Sequence, residues 1–70
     1  MIIAIKDIAK AHRSILASDE TNGMLLVHVF CVDQEAASWG SHFEVYRFET
    51  IKLFSGENLA QAIRIYNSLQ

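Results

Sequence analysis

Residues 24–33, MLLVHVFCVD, decide how the rest of this chain is read. β-Branched and aromatic residues dominate the run, which marks a strand. His28 interrupts it, and it is far shorter than the ~20 apolar residues of a membrane span. Strand side chains alternate, so Leu25, Val27, Val29 and Cys31 share one face, and Met24, Leu26, His28, Phe30 and Val32 share the other. Both sets are largely apolar.

On the C-terminal side, QEAASWG (34–40) reads as a loop and SHFEVYRFE (41–49) alternates as a second strand. Pairing the two as a hairpin sets Phe43 and Val45 beside the Leu25 set, an ordinary core face. His42, Glu44, Tyr46 and Phe48 then join Leu26, His28 and Phe30 on the opposite face. Ile51 to Phe54 is a third short strand, or the second continued past a bulge. Ser55 has the character of a helix N-cap, with Glu57 near the positive end of the helix. The helix that follows carries Leu59, Ala62, Ile63, Tyr66 and Leu69 on one face.

On the N-terminal side, SDETNG (18–23) is a polar connector whose Asn22-Gly23 pair tolerates positive φ. Residues 5–17 show a helical period, with Ile5, Ile8, Ala9, His12, Ile15 and Leu16 at three- and four-residue steps. MIIAI at the start is open to either a strand or a helix reading. The expected architecture is therefore α+β, an antiparallel meander of two to three strands flanked by an N-terminal and a C-terminal helix. Residues 1–70 make one domain.

So short a chain buries only roughly 60% of its unfolded surface, and small folds usually recruit a disulfide, a metal or a partner. Cys31 is the single cysteine, which excludes an internal disulfide and the Cys-rich zinc sites. It also fits a reducing, cytoplasmic setting. The start of the chain lacks the pattern of a secretory signal, and the sequence reads as a complete small gene product. Self-association is the remedy that remains. The apolar face bearing Leu26, His28, Phe30, His42, Glu44, Tyr46 and Phe48 is then a candidate partner surface, because oversized apolar patches rarely stay wet. A helix on each side of the sheet is the competing explanation. Trp39, in the hairpin loop, either anchors an interface or folds over the sheet edge.

The net charge of −2 is unevenly spread: residues 1–17 carry +2 and residues 18–70 carry −4. Lys6, Lys10 and Arg13 would form a basic stripe on a first helix, suited to an acidic protein or to phosphates. Three charges are few for nucleic acid, and no recognised nucleic-acid motif accompanies them. His28, His42 and Glu44 could lie together as a metal or acid–base group, although their spacing forms no ligand motif. Cys31 reads as a buried, inert thiol. The Ser55-Gly56 pair before a helix is an ordinary cap, and no phosphate loop or nucleophile elbow is present.

The functional expectation is a non-enzymatic protein-binding module, of accessory, adaptor or inhibitor type, without cofactor or metal. Its partner is another protein, first of all a second copy of itself. A nucleic-acid-linked regulator and a His28/His42/Glu44 site are the alternatives.

Overall fold

The computed structural model describes residues 3–68, a four-stranded antiparallel meander with one helix. After a 3-10 turn at Ile5–Asp7 come β1 (Ala11–Asp19), β2 (Met24–Asp33), β3 (Ser38–Arg47) and β4 (Ile51–Gly56). The helix α1 (Leu59–Ser68) closes the described chain. The strands lie in sequence order, β1-β2-β3-β4. The α+β class and the antiparallel meander therefore stand, with one strand more and one helix fewer than the sequence suggests.

The N-terminal helix is replaced by β1. Ile5, Ile8, Ala9, His12, Ile15 and Leu16 form no common stripe, because only a single 3-10 turn precedes an extended strand. The reason lies in β2. A strand apolar on both faces belongs in the interior of a sheet and needs a paired neighbour along each edge to satisfy its backbone. Residues 11–19 supply one neighbour and residues 38–47 the other. An isolated helix of that length is marginal in water, so tertiary pairing outweighs the local period.

Three tight turns join the strands. Asn22-Gly23 makes the first, with Gly23 at φ +70°. Asp19 reinforces it, its carboxylate accepting from the backbone and the side chain of Asn22 at 3.3 and 2.8 Å. At the second, Asp33 Oδ1 accepts from the amides of Glu35 and Ala36, each at 3.1 Å. The third places two non-glycine residues, Phe48 (φ 56°) and Glu49 (φ 64°), in the left-handed region.

The second turn also corrects the expected register. β3 begins at Ser38, inside the stretch read as loop, and Asp33 pairs with Ser38. Leu26 consequently faces Val45 and His28 faces Phe43, while Val27 faces Glu44 and Val29 faces His42. A one-residue shift exchanges every side chain between faces. Phe43 and Val45 therefore share a face with Met24, Leu26, His28, Phe30 and Val32. His42, Glu44 and Tyr46 share the other with Leu25, Val27, Val29 and Cys31.

The helix packs on the first of these faces. Met24, Leu26, Val45, Ala62 and Tyr66 form its core, with Ala17, Phe43, Leu53, Phe54 and Ile65 packed around them. The N-cap is Asn58, not Ser55: Asn58 Oδ1 accepts from Gln61 N at 3.0 Å. Ser55 and Gly56 instead extend β4, pairing with Glu44 and Phe43. Packing on the sheet turns Ala62, Ile65 and Tyr66 inward and leaves Leu59 and Ile63 about 40% exposed. Leu69 lies outside the described residues.

Candidate interaction surface

The face without the helix is organised by one carboxylate. Glu44 is only 3% exposed, at the centre of β3. Its Oε1 accepts from Tyr46 Oη and from Arg13 Nη1, each at 2.7 Å. Its Oε2 lies 3.0 Å from His42 Nε2 and 3.3 Å from Lys52 Nζ. Burial alone would push this carboxyl up; the donors Tyr46, His42, Lys52 and Arg13 outweigh it and bring the pKa down to about 2.

Arg13 reaches Glu44 from two strands away. It pairs with Val29 on β2, whereas Glu44 pairs with Val27. Neighbouring strands are about 4.8 Å apart, so the arginine stem must cross β2 at the level of those two valines. Both are buried although no helix lies over them. The second face is thus roofed by its own polar lattice rather than bare.

The other face is only half covered. A ten-residue helix such as α1 is about 15 Å long, whereas a ten-residue strand such as β2 or β3 runs about 33 Å. The helix sits over the end of the sheet marked by Met24, Leu26 and Val45. Toward the far end the same face carries His12, His28, Phe30, Trp39 and Phe43. These rings interlock: Phe30 and Trp39 centroids are 5.6 Å apart, His28 and Phe43 5.1 Å, and His12 and Phe30 6.3 Å. Trp39 remains 70% exposed. It projects from the regular part of β3, not from a loop tip.

The expected partner surface is therefore divided. Leu26 lies under the helix. His28, Phe30 and Trp39 fall on the aromatic half. His42, Glu44 and Tyr46 belong to the opposite face, locked in the Glu44 network. Phe48 sits in the β3–β4 turn with its ring against Gly23, and its amide donates to the Gly23 carbonyl at 2.7 Å. His12 was not singled out by its sequence, since it lies in a stretch with a helical period. Its partner Phe30 becomes evident only once β1 is seen as a strand.

The remaining candidates separate as well. Lys6 is in the 3-10 turn, Lys10 precedes β1, and Arg13 lies within it, so no basic helix face exists. His28 and the His42–Glu44 pair occupy opposite faces, and the described residues hold no group of three metal-ligating side chains. Cys31 is half-buried, on the same face as His42 but without a hydrogen bond to it among the described residues. No described helix is long and apolar enough to cross a membrane. The chain matches no family model, no curated protein and no solved structure.

Proposed function

We propose that this protein is a small non-enzymatic protein-binding module that docks its partner on the aromatic half of the helix-bearing face. The supporting observation is the mismatch in length between α1 and the strands it covers. It leaves Trp39 exposed against Phe30, on the same face as His12, His28 and Phe43. Aromatic side chains bury large areas at low entropic cost, and tryptophan is a frequent hot-spot anchor. The strip carries no acidic or lysine side chain, and its rings pair in tilted contacts, which lowers the ordering cost of binding.

The opposite face suits this role less, since its polar groups satisfy one another. Nucleic acid is the lesser alternative, for Lys6, Lys10 and Arg13 do not converge and Arg13 is paired with Glu44. Affinity capture with the wild-type protein, W39A and F30A tests the proposal. A partner protein retained by wild type and lost by both variants supports it. Identical protein sets captured by all three would refute it.

A further inference from the structure

The strand β4 covers only part of β3. It pairs with Phe43 to Arg47 and ends at Gly56, opposite Phe43, so Ser38 to His42 have a paired neighbour on the β2 side alone. Phe48 N donates to Gly23 O at 2.7 Å, which directs the backbone of Phe48 toward β2. Antiparallel strands alternate in this respect, and the β2–β3 register runs without a shift. The amides and carbonyls of Phe43, Ser41 and Trp39 therefore point away from β2. Phe43 meets Gly56 there, whereas Ser41 and Trp39 have no backbone partner on that side among the described residues.

This open stretch borders the uncovered aromatic strip. Trp39 pairs with Val32 and Ser41 with Phe30, so both project on the helix-bearing face. Directly opposed residues of neighbouring strands share a face, and a strand added here sets two of its side chains beside the Trp39 ring. The middle of the stretch is unobstructed. A Cβ at Gly40 would meet nothing within 4 Å, and glycine within a strand suits the close approach of another backbone. The outer edges of β1 and β4 are unpaired too, but neither adjoins Trp39.

The charges around the stretch are of one sign. Residues 33–46 and 53–63 contain no lysine or arginine. Asp33 and Glu35 stand at its turn end, and Glu57 follows Gly56 at the other; all three are exposed and in no ion pair among the described residues. Glu44 is already matched by its own donors.

We infer that the open edge Ser38–His42 receives an extended, basic peptide segment of the partner protein, added as a short strand in line with β4. Apolar residues at alternate positions of that segment lie opposite Ser41 and Trp39, on the aromatic strip. Lysine or arginine residues flank them, toward Glu57 at one end and toward Asp33 and Glu35 at the other. Main-chain hydrogen bonds to Trp39 and Ser41 give affinity, and the alternate side chains give specificity. This mode of docking rests on the aromatic surface proposed above.

Three sets of immobilised, end-blocked heptapeptides test it. All carry alternate apolar residues, flanked by lysine and arginine, by aspartate and glutamate, or by serine. The basic set is expected to retain the protein above the other two. For its tightest member, anisotropy of a fluorescent derivative reads the changes in affinity. S41P removes the outward amide of Ser41 and weakens binding at least about tenfold, with an unchanged circular dichroism spectrum. N-methylation of the peptide amides that face β3 does the same without altering the protein. E35K and E57K each weaken binding about threefold, and W39A at least about tenfold. Equal retention of the three sets, preference for the acidic set, or binding indifferent to both S41P and N-methylation would overturn the inference. Indifference to those two with loss in W39A would leave the aromatic docking surface standing without an added strand; indifference to W39A and F30A as well would remove that surface too.

Discussion

Arg13 Nη1 and Glu44 Oε1 meet at 2.7 Å across an intervening strand, tying β1 to β3 over the top of β2. The contact serves two purposes at once. It shields Val27 and Val29 where no helix does, and it supplies charge to a carboxylate that burial would otherwise neutralise. Tyr46, His42 and Lys52 complete the shell, so three further residues depend on Glu44 remaining ionised.

Stability should consequently fall in acid over a defined range. Glu44 ordinarily titrates near 4.5 and in the folded protein near 2. Above pH 4.5 the group is ionised in both states and its contribution is complete; as pH falls through the folded value that contribution disappears. The shift corresponds to about 3 kcal/mol. Urea denaturation from pH 7 to pH 2 should show this loss, and E44Q should be less stable at pH 7 by about 2 kcal/mol with a flatter acid limb. An E44Q profile parallel to that of wild type would contradict the assignment.

Gly23 should resist replacement. Its φ of +70° disfavours any side chain, and an added Cβ would sit 2.5 Å from Phe48 Cδ1. G23A is expected to cost about 2 kcal/mol, read as a lowered urea midpoint at unchanged slope.

The β3–β4 turn offers the converse. Glu49 occupies the left-handed region at φ 64°, where a residue with a Cβ stores about 1 kcal/mol. Its side chain is exposed and forms no ion pair among the described residues. E49G should raise the melting temperature by a few degrees; an unchanged or lower value would show that the turn is not strained there.

At the helix start, N58A removes the acceptor for Gln61 N. A loss of about 1 kcal/mol is expected, with S55A nearly neutral because Ser55 belongs to β4. Equal losses in both would return the cap to Ser55.

Trp39 should be separable from folding. Being 70% exposed, it contributes little to the core, and W39A is expected to change stability by less than about 1 kcal/mol. A larger loss would make the ring structural rather than a docking element.

Several features were legible from residue types. Met24–Asp33 reads as a strand because β-branched and aromatic side chains suit both sides of a pleated surface. Asn22-Gly23 marks a turn by its tolerance of positive φ, and the apolar period after residue 58 marks a helix. The helical period of residues 5–17 misleads, because three- and four-residue spacing also arises by chance in a strand that buries only one side weakly. His12 and Arg13 show why the site was hidden: on β1 they meet Phe30 on one face and Glu44 on the other, neighbours that a helix reading does not give them.

The chain by itself determined that there would be a doubly apolar strand, a turn at Asn22-Gly23 and a C-terminal amphipathic helix, since each follows from local periodicity and backbone preference. Only the tertiary structure decided which residues share a face. That depends on where the β2–β3 turn closes, and starting β3 at Ser38 rather than Ser41 carries Glu44 into a buried ion network and Phe43 beneath the helix edge. Alternation has a period of two, so the parity of a single turn allots every side chain of β3 to one face or the other, and no local propensity records that parity.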